Sequence, residues 1–156
     1  MPGLEKTPWA RPRFKNWLAV ARCHALYAQR LQLILAPLGL RIAQFDVLAN
    51  LVYEPGMTQQ RLAGKLFVGR SNLSMALSEM EKMGWVRRES DPQDKRIRRL
   101  FLTPQGQALA LQALEDECVL FDEMMTALSE EECNALGDSM RRLGDYLKSG
   151  LPPKEG

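Results

Sequence analysis

The thirteen positions from Arg87 to Arg99 hold Arg87, Arg88, Lys95, Arg96, Arg98 and Arg99 against the acids Glu89, Asp91 and Asp94. Cations crowded this closely do one kind of chemistry well. They displace the counterions of a polyphosphate, an attraction that weakens steeply with salt. An arginine on a protruding loop can also enter a narrow minor groove of duplex DNA. Just upstream, at about 100° per residue, Leu73, Leu77 and Met80 fall on one side of a helix over 70–83. Ser71, Asn72, Ser74, Met75 and Ser78 project to the other side or its shoulders. Hydroxyls and an amide reach base edges or phosphates, and Met75 suits a thymine methyl. Arg70 beside the helix N-terminus adds a favourable place for a phosphate. Taken alone, such a serine-rich face is as well read as a solvated surface. The basic segment that follows it turns the balance toward duplex DNA.

Other chemistries find little support. His24 is the only histidine, and neither a glycine-rich phosphate loop nor a nucleophile–base motif is present, so an enzyme is not expected. Cys23, Cys118 and Cys133 are odd in number and include no Cys-x-x-Cys pair, which fits neither a disulfide framework nor a zinc site. No cofactor or metal is called for, and structural thiols, buried or half-buried, are the expectation. A weaker alternative is redox sensing by Cys23, which lies between Arg22 and His24, because a thiolate beside a cation is reactive.

At 156 residues with 46% hydrophobic and 26% charged residues, the chain has the balance of a globular protein with one core. No apolar run approaches the roughly 20 residues that span a bilayer, and the first residues lack a secretory signal, so a cytoplasmic location without membrane contact is expected. The net charge of +2 hides a strong asymmetry. Residues 1–50 carry seven basic and two acidic groups, and 51–99 carry ten and six; between Arg99 and Arg141 nine acids face no lysine or arginine. Such a division is expected where one part of a chain meets a polyanion and another does not.

The elements that must position these residues follow from periodicity and punctuation. Residues 1–13, with three prolines, read as an arm. A long helix from Phe14 to about Ala36 ends at Pro37 and Gly39, and a second spans Ile42–Tyr53. Glu54-Pro55-Gly56 is a turn, and Thr58 caps a short helix to Phe67. After helix 70–83, Gly84 is placed to close it in a left-handed cap. Two strands, 85–89 and 96–102, flank a charged hairpin. Thr103-Pro104 starts a helix to about Leu128, and Ser129 with Glu132 forms a capping box for a last helix to about Lys148. Leu151-Pro152-Pro153 is read as the end of the ordered chain. The fold class is therefore mainly α with a small β-hairpin wing: a winged helix-turn-helix with added helices, whose third compact helix enters the major groove.

The combination Gly39-Leu40, Gln44-Phe45, Thr58-Gln59, Leu62-Ala63, Ser71, Glu81, Gly84 and Val86, above all with Asp91-Pro92-Gln93-Asp94-Lys95-Arg96 and Leu102-Thr103-Pro104-Gln105-Gly106, resembles the MarR family of bacterial regulators over about residues 14–148. The wing signature, Asp-x-Arg followed by a strand and Leu-Thr-x-x-Gly, is highly specific. The resemblance implies that Arg96 is the wing-tip arginine of the minor groove, with Asp94 orienting it. It also implies a homodimer built by the first, fifth and sixth helices, with 39–103 as the DNA-binding domain, 14–38 and 104–148 as the dimerisation region, and 149–156 as a tail. Leu109, Leu114, Val119, Phe121, Leu136, Met140, Leu143 and Leu147 are its candidate interface. The implied function is a ligand-responsive repressor on a pseudo-palindromic operator, with phosphates held by Arg70, Arg87, Arg88, Lys95 and Arg98. A small phenolic or anionic effector would lie near Trp17, His24, Tyr27 and Phe45, although aromatic residues at helical spacing are as a rule core. Two positions depart from the family pattern: Met75 stands where a polar or basic reader is usual, and Gly69 where serine or aspartate caps the helix. The family's peroxide-sensing branch carries its cysteine nearer the position of Trp17, which weakens the case for Cys23. A winged module that binds protein is the other reading, and salt dependence separates it from DNA binding.

Overall fold

The computed structural model describes residues 3–150 and places them in two compact units, one up to Cys118 and one from Val119. In the first unit, short 3-10 turns at Leu4–Lys6 and Pro8–Ala10 precede α1, Phe14–Leu35. The expected arm thus has local structure, and Trp9 meets Phe14 edge-to-face at 5.1 Å. A 3-10 turn at Ala36–Leu38 and Gly39, at φ 68°, lead to α2, Ile42–Tyr53. The Gln32 side chain bridges this corner, donating to the Leu40 carbonyl at 3.1 Å and accepting from the Ile42 N–H at 3.4 Å.

Helix α3, Gln59–Leu66, is capped by Thr58, whose hydroxyl accepts the Arg61 N–H at 3.1 Å. Helix α4 follows at Arg70–Lys82. Its C-terminus closes as the sequence predicts: Gly84 takes φ 73°, and the Trp85 N–H returns to the Met80 carbonyl at 2.9 Å. Strands β1, Val86–Ser90, and β2, Arg98–Leu102, pair antiparallel with Val86 opposite Leu102 and Ser90 opposite Arg98. The strand predicted from Arg96 begins two residues later, because Asp94 to Ile97 form a turn closed by the Ile97 N–H on the Asp94 carbonyl, 2.9 Å. The other edge of β2 is also used. Gly56 N–H donates to the Leu100 carbonyl at 2.9 Å and Leu100 N–H to the Met57 carbonyl at 3.0 Å, so residues 56–58 act as a third short edge that periodicity did not reveal.

The core lies where these elements meet. Leu35, Leu48, Leu51, Leu62, Leu77, Met80 and Leu100 are all fully buried. Burial of such side chains, each worth about 1.5–3 kcal/mol, fixes the face that α4 turns inward. Helix α5, Pro104–Met125, is capped by Thr103, whose hydroxyl accepts the Gly106 N–H at 3.0 Å. It approaches the hairpin through glycine: a Cβ on Gly106 would stand 1.9 Å from the Trp85 carbonyl oxygen. The helix ends three residues short of the predicted Leu128, in turns closed by Thr126, Ala127 and Leu128 N–H groups.

In the second unit, Ser129 and Glu132 form the predicted capping box, with Glu132 N–H to Ser129 Oγ at 3.2 Å and Ser129 N–H to Glu132 Oε2 at 2.9 Å. Helix α6, Glu130–Gly150, takes in the first two residues of the expected tail and buries none of its side chains. The remainder of that tail, with Leu151-Pro152-Pro153, lies outside the described residues. Among the described residues no single helix is long and apolar enough to cross a membrane.

Candidate nucleic-acid interface

Helix α4 divides its residues as an amphipathic helix must. Leu73, Leu77 and Met80 are buried, whereas Arg70, Ser71, Asn72 and Met75 are exposed, Met75 by 66%. Gly69 precedes the helix in extended conformation and supplies no side-chain cap, so α4 opens on N–H groups without a side-chain partner beside the Arg70 cation. That end attracts an anion.

One shoulder residue, Ser78, has structural partners. Ser78 Oγ donates to the Ser74 carbonyl at 2.9 Å and accepts from Arg88 Nη2 at 3.0 Å. Arg88 is also ion-paired with Glu81, its Nε 2.9 Å from Oε2 and its backbone N–H 3.1 Å from Oε1. The Arg88 guanidinium, expected at a phosphate, is thus turned onto α4 and ties the wing to the helix. Arg87 remains exposed, ion-paired with Glu89 and lying over the Phe101 ring at 4.7 Å.

The wing is organised by a buried carboxylate. Asp91, 6% exposed, accepts the Gln93 N–H at 2.8 Å and the Asp94 N–H at 3.1 Å, and is ion-paired with Arg99. Arg99 continues to the Gly56 carbonyl at 3.0 Å, anchoring the hairpin to the third edge. The Arg99 hydrogen bond first, then the two N–H donors, hold the Asp91 carboxyl below its ordinary value. Asp94 accepts the Arg96 N–H at 2.9 Å, so it shapes the tip through the backbone of Arg96. Lys95, Arg96 and Arg98 are exposed, and Arg98 donates to Ser90 Oγ at 2.5 Å.

The start of α3, the start of α4 and the wing share one open groove of about 370 Å³, lined by Thr58, Gln59, Gln60, Arg70, Arg96, Ile97 and Arg98. Three guanidinium groups and two amides around one recess suit a phosphodiester backbone. Gln59, Gln60 and Ile97 were not anticipated. The signal available for the glutamines was their place directly after the Thr58 cap, at a helix N-terminus.

The residues expected near an effector are distributed differently. Trp17 and His24 are exposed on α1, and Tyr27 is half-buried, donating its hydroxyl to Glu117 of α5. Burial first, then this hydrogen bond and the Glu117 charge, raise the Tyr27 pKa; burial and Glu117 likewise raise that of Asp46 on α2. Phe45 is 2% exposed and belongs to the core, as its place on the inward face of α2 dictates. Of the thiols, Cys23 and Cys118 are exposed in the single chain, contrary to expectation, and Cys133 is half-buried with its Sγ 3.8 Å from Met125 Sδ.

Comparison with known proteins agrees with this architecture. The MarR family profile matches residues 38–97, which cover α2, α3, α4 and the hairpin as far as Ile97. An HTH-type transcriptional regulator of Bacillus anthracis is 33% identical over 144 residues, spanning 89% of this chain and 93% of the relative. Among solved structures, AbsC of Streptomyces coelicolor, a MarR family transcriptional regulator, has the same fold, with TM-score 0.79, 24% identity and coverage of 86% and 93% of the two chains. The transcriptional repressor CouR, solved on a 23-mer DNA duplex, aligns with TM-score 0.75 at 25% identity over 90% of this chain and 96% of that one. The wing signature, the helix-turn-helix core and a relative matched along almost its whole length establish that the chain belongs to the MarR family of DNA-binding, non-enzymatic helix-turn-helix transcriptional regulators.

Proposed function

We propose that the protein is a homodimeric, ligand-responsive repressor that occupies a pseudo-palindromic operator in the cytoplasm. The observation that carries this reading is the groove in which Arg70, Arg96 and Arg98 converge with Gln59 and Gln60. In it a DNA strand would be held between helix and wing. Residues 39–103 would form the reading head. Ser71, Asn72, Ser74 and Met75 would face base edges, and Ser78 would steady Arg88 behind them. Arg70, Arg87, Lys95 and Arg98 would hold phosphates, and Arg96 would enter the minor groove, its loop shaped by Asp94.

Dimerisation through 14–38 and 104–148 is supported by apolar side chains left in water. Leu111, Val119 and Phe121 of α5 and Leu136 and Leu147 of α6 are each 45% exposed or more. A second copy that covers them would remove a surface single chains rarely present. Half-site spacing then follows from the separation of the two α4 helices, and an effector acts by changing it. A phenolic or anionic effector would meet Trp17, His24 and Tyr27, with Phe45 as the wall behind.

The test is a gel-shift titration of Arg96→Ala on a duplex selected by the wild-type chain. Affinity should fall at least about tenfold, toward the lower end of the roughly 1–3 kcal/mol of one lost base contact, while sedimentation still gives a dimer. Unchanged affinity would refute the role of the wing.

A further inference from the structure

Among the described residues, Phe67 alone of the non-glycines has a left-handed backbone, at φ 54°. That conformation is an outlier for a bulky side chain, and glycine adopts it freely. The demand for it is local. Phe67 follows the last residue of α3, the Val68 N–H closes on the Ala63 carbonyl at 3.2 Å, and the chain must reverse here to begin α4 at Arg70. Strain of this kind persists where something compensates it. Burial does not, because Phe67 is 71% exposed. Its neighbour Val68, 38% exposed, keeps one side on an apolar recess of about 180 Å³ shared with Val47 of α2 and Leu73 of α4, and Phe67 has no place among the residues lining it.

We infer that Phe67 is a specificity-determining contact to duplex DNA, packing its ring on a thymine 5-methyl group at the edge of the sequence read by α4. The inference rests on DNA binding through α4 and extends it by one residue. Continuity fixes the occupant: Phe67 is three residues from Arg70 and four from Ser71, at the end of α4 that opens on free N–H groups. Three residues of chain span at most about 11 Å, so the turn that carries Phe67 lies within the breadth of a duplex seated at Arg70. Contact with the thymine methyl is how an aromatic side chain reads a base edge. Met75, 66% exposed on α4 itself, supplies a second reader of the same kind. Together they add an apolar readout to that of the α4 hydroxyls and amide.

The probe is a duplex selected by the wild-type chain from a random pool, with each thymine replaced in turn by uracil, which lacks only the methyl group. The wild-type chain should lose about fourfold in affinity, the worth of one buried methyl group, at the position in each half-site that Phe67 covers, distinct from the one under Met75. Phe67→Gly should bind the parent duplex at least as weakly, ignore uracil at that position, and melt at a higher temperature because the strain is gone. Phe67→Asn, which also tolerates the left-handed region, should repeat the binding result. Wild-type affinity in Phe67→Gly, or uracil sensitivity retained at every position, would overturn the inference and point to a partner other than DNA. Failure of the wild-type chain to select any duplex would overturn DNA binding itself, and this inference with it.

Discussion

Replacing Arg88 by alanine separates the two jobs that a basic wing can do. The guanidinium bonds Glu81 through Nε at 2.9 Å and Ser78 at 3.0 Å, and both ion-pair partners are less than one-third exposed. Charge-assisted hydrogen bonds in such surroundings contribute about 1.5–3 kcal/mol. Glu81 keeps the residue 88 N–H and regains some water, so the lower part of that range applies: about 2 kcal/mol. For a chain of this length that is a fall of about 4–8 °C in melting temperature, measured at fixed protein concentration. Binding should respond differently. Arg88 holds no counterion to release, so the slope of log affinity against log salt should stay at the wild-type value. Arg98→Ala supplies the contrast: exposed and bonded only to Ser90, it should leave the melting temperature alone and lower the slope by about 2 per dimer. Calorimetric melts and a fluorescence-anisotropy salt titration on one selected duplex read both quantities. If Arg88→Ala melts like wild type and flattens the salt slope as Arg98→Ala does, the bracket between wing and helix is refuted.

Gly106→Ala should destabilise the fold by about 3 kcal/mol, because its methyl would overlap the Trp85 carbonyl oxygen; urea unfolding measures it. The two perturbed aspartates predict opposite responses to acid. Asp91 is depressed in the folded state, so its stabilisation is present above the ordinary carboxylate range and is lost as pH falls through its lowered value. Asp91→Asn should therefore melt lower than wild type at neutral pH, with the gap closing as the solution is acidified. Asp46 is raised by burial and by Glu117, so its charged form opposes folding above its raised value and protonation relieves this. Asp46→Asn should melt higher than wild type near pH 7 and converge with it in acid; a lower melting temperature at neutral pH would contradict the assignment.

What the sequence discloses is what short-range chemistry decides. Thr58, Thr103 and Ser129 cap helices because a hydroxyl three residues before an N–H finds it wherever the helix later packs. Gly84 terminates α4 because only its backbone turns left without strain, and Leu73, Leu77 and Met80 define an inward face by spacing alone. The aim of a long side chain depends on partners that spacing does not show. Arg88 looks like its basic neighbours until Glu81, a turn of helix and a tight corner away, captures it. The pairing of residues 56–58 with β2 is likewise a tertiary event between segments some 40 positions apart. Phe67 reads as the end of α3 by composition, and its left-handed backbone emerges only because α4 must begin three residues later. Phe45 could be drawn as pocket wall or core from its spacing, and the packing of α2 puts it in the core.

The salt dependence of binding to a selected duplex tests the central claim most directly. Arg70, Arg87, Lys95 and Arg98, doubled in a dimer, should release about eight counterions and give a log–log slope near −7. A slope close to zero, or equal affinity for duplex DNA and an uncharged competitor surface, would contradict the account.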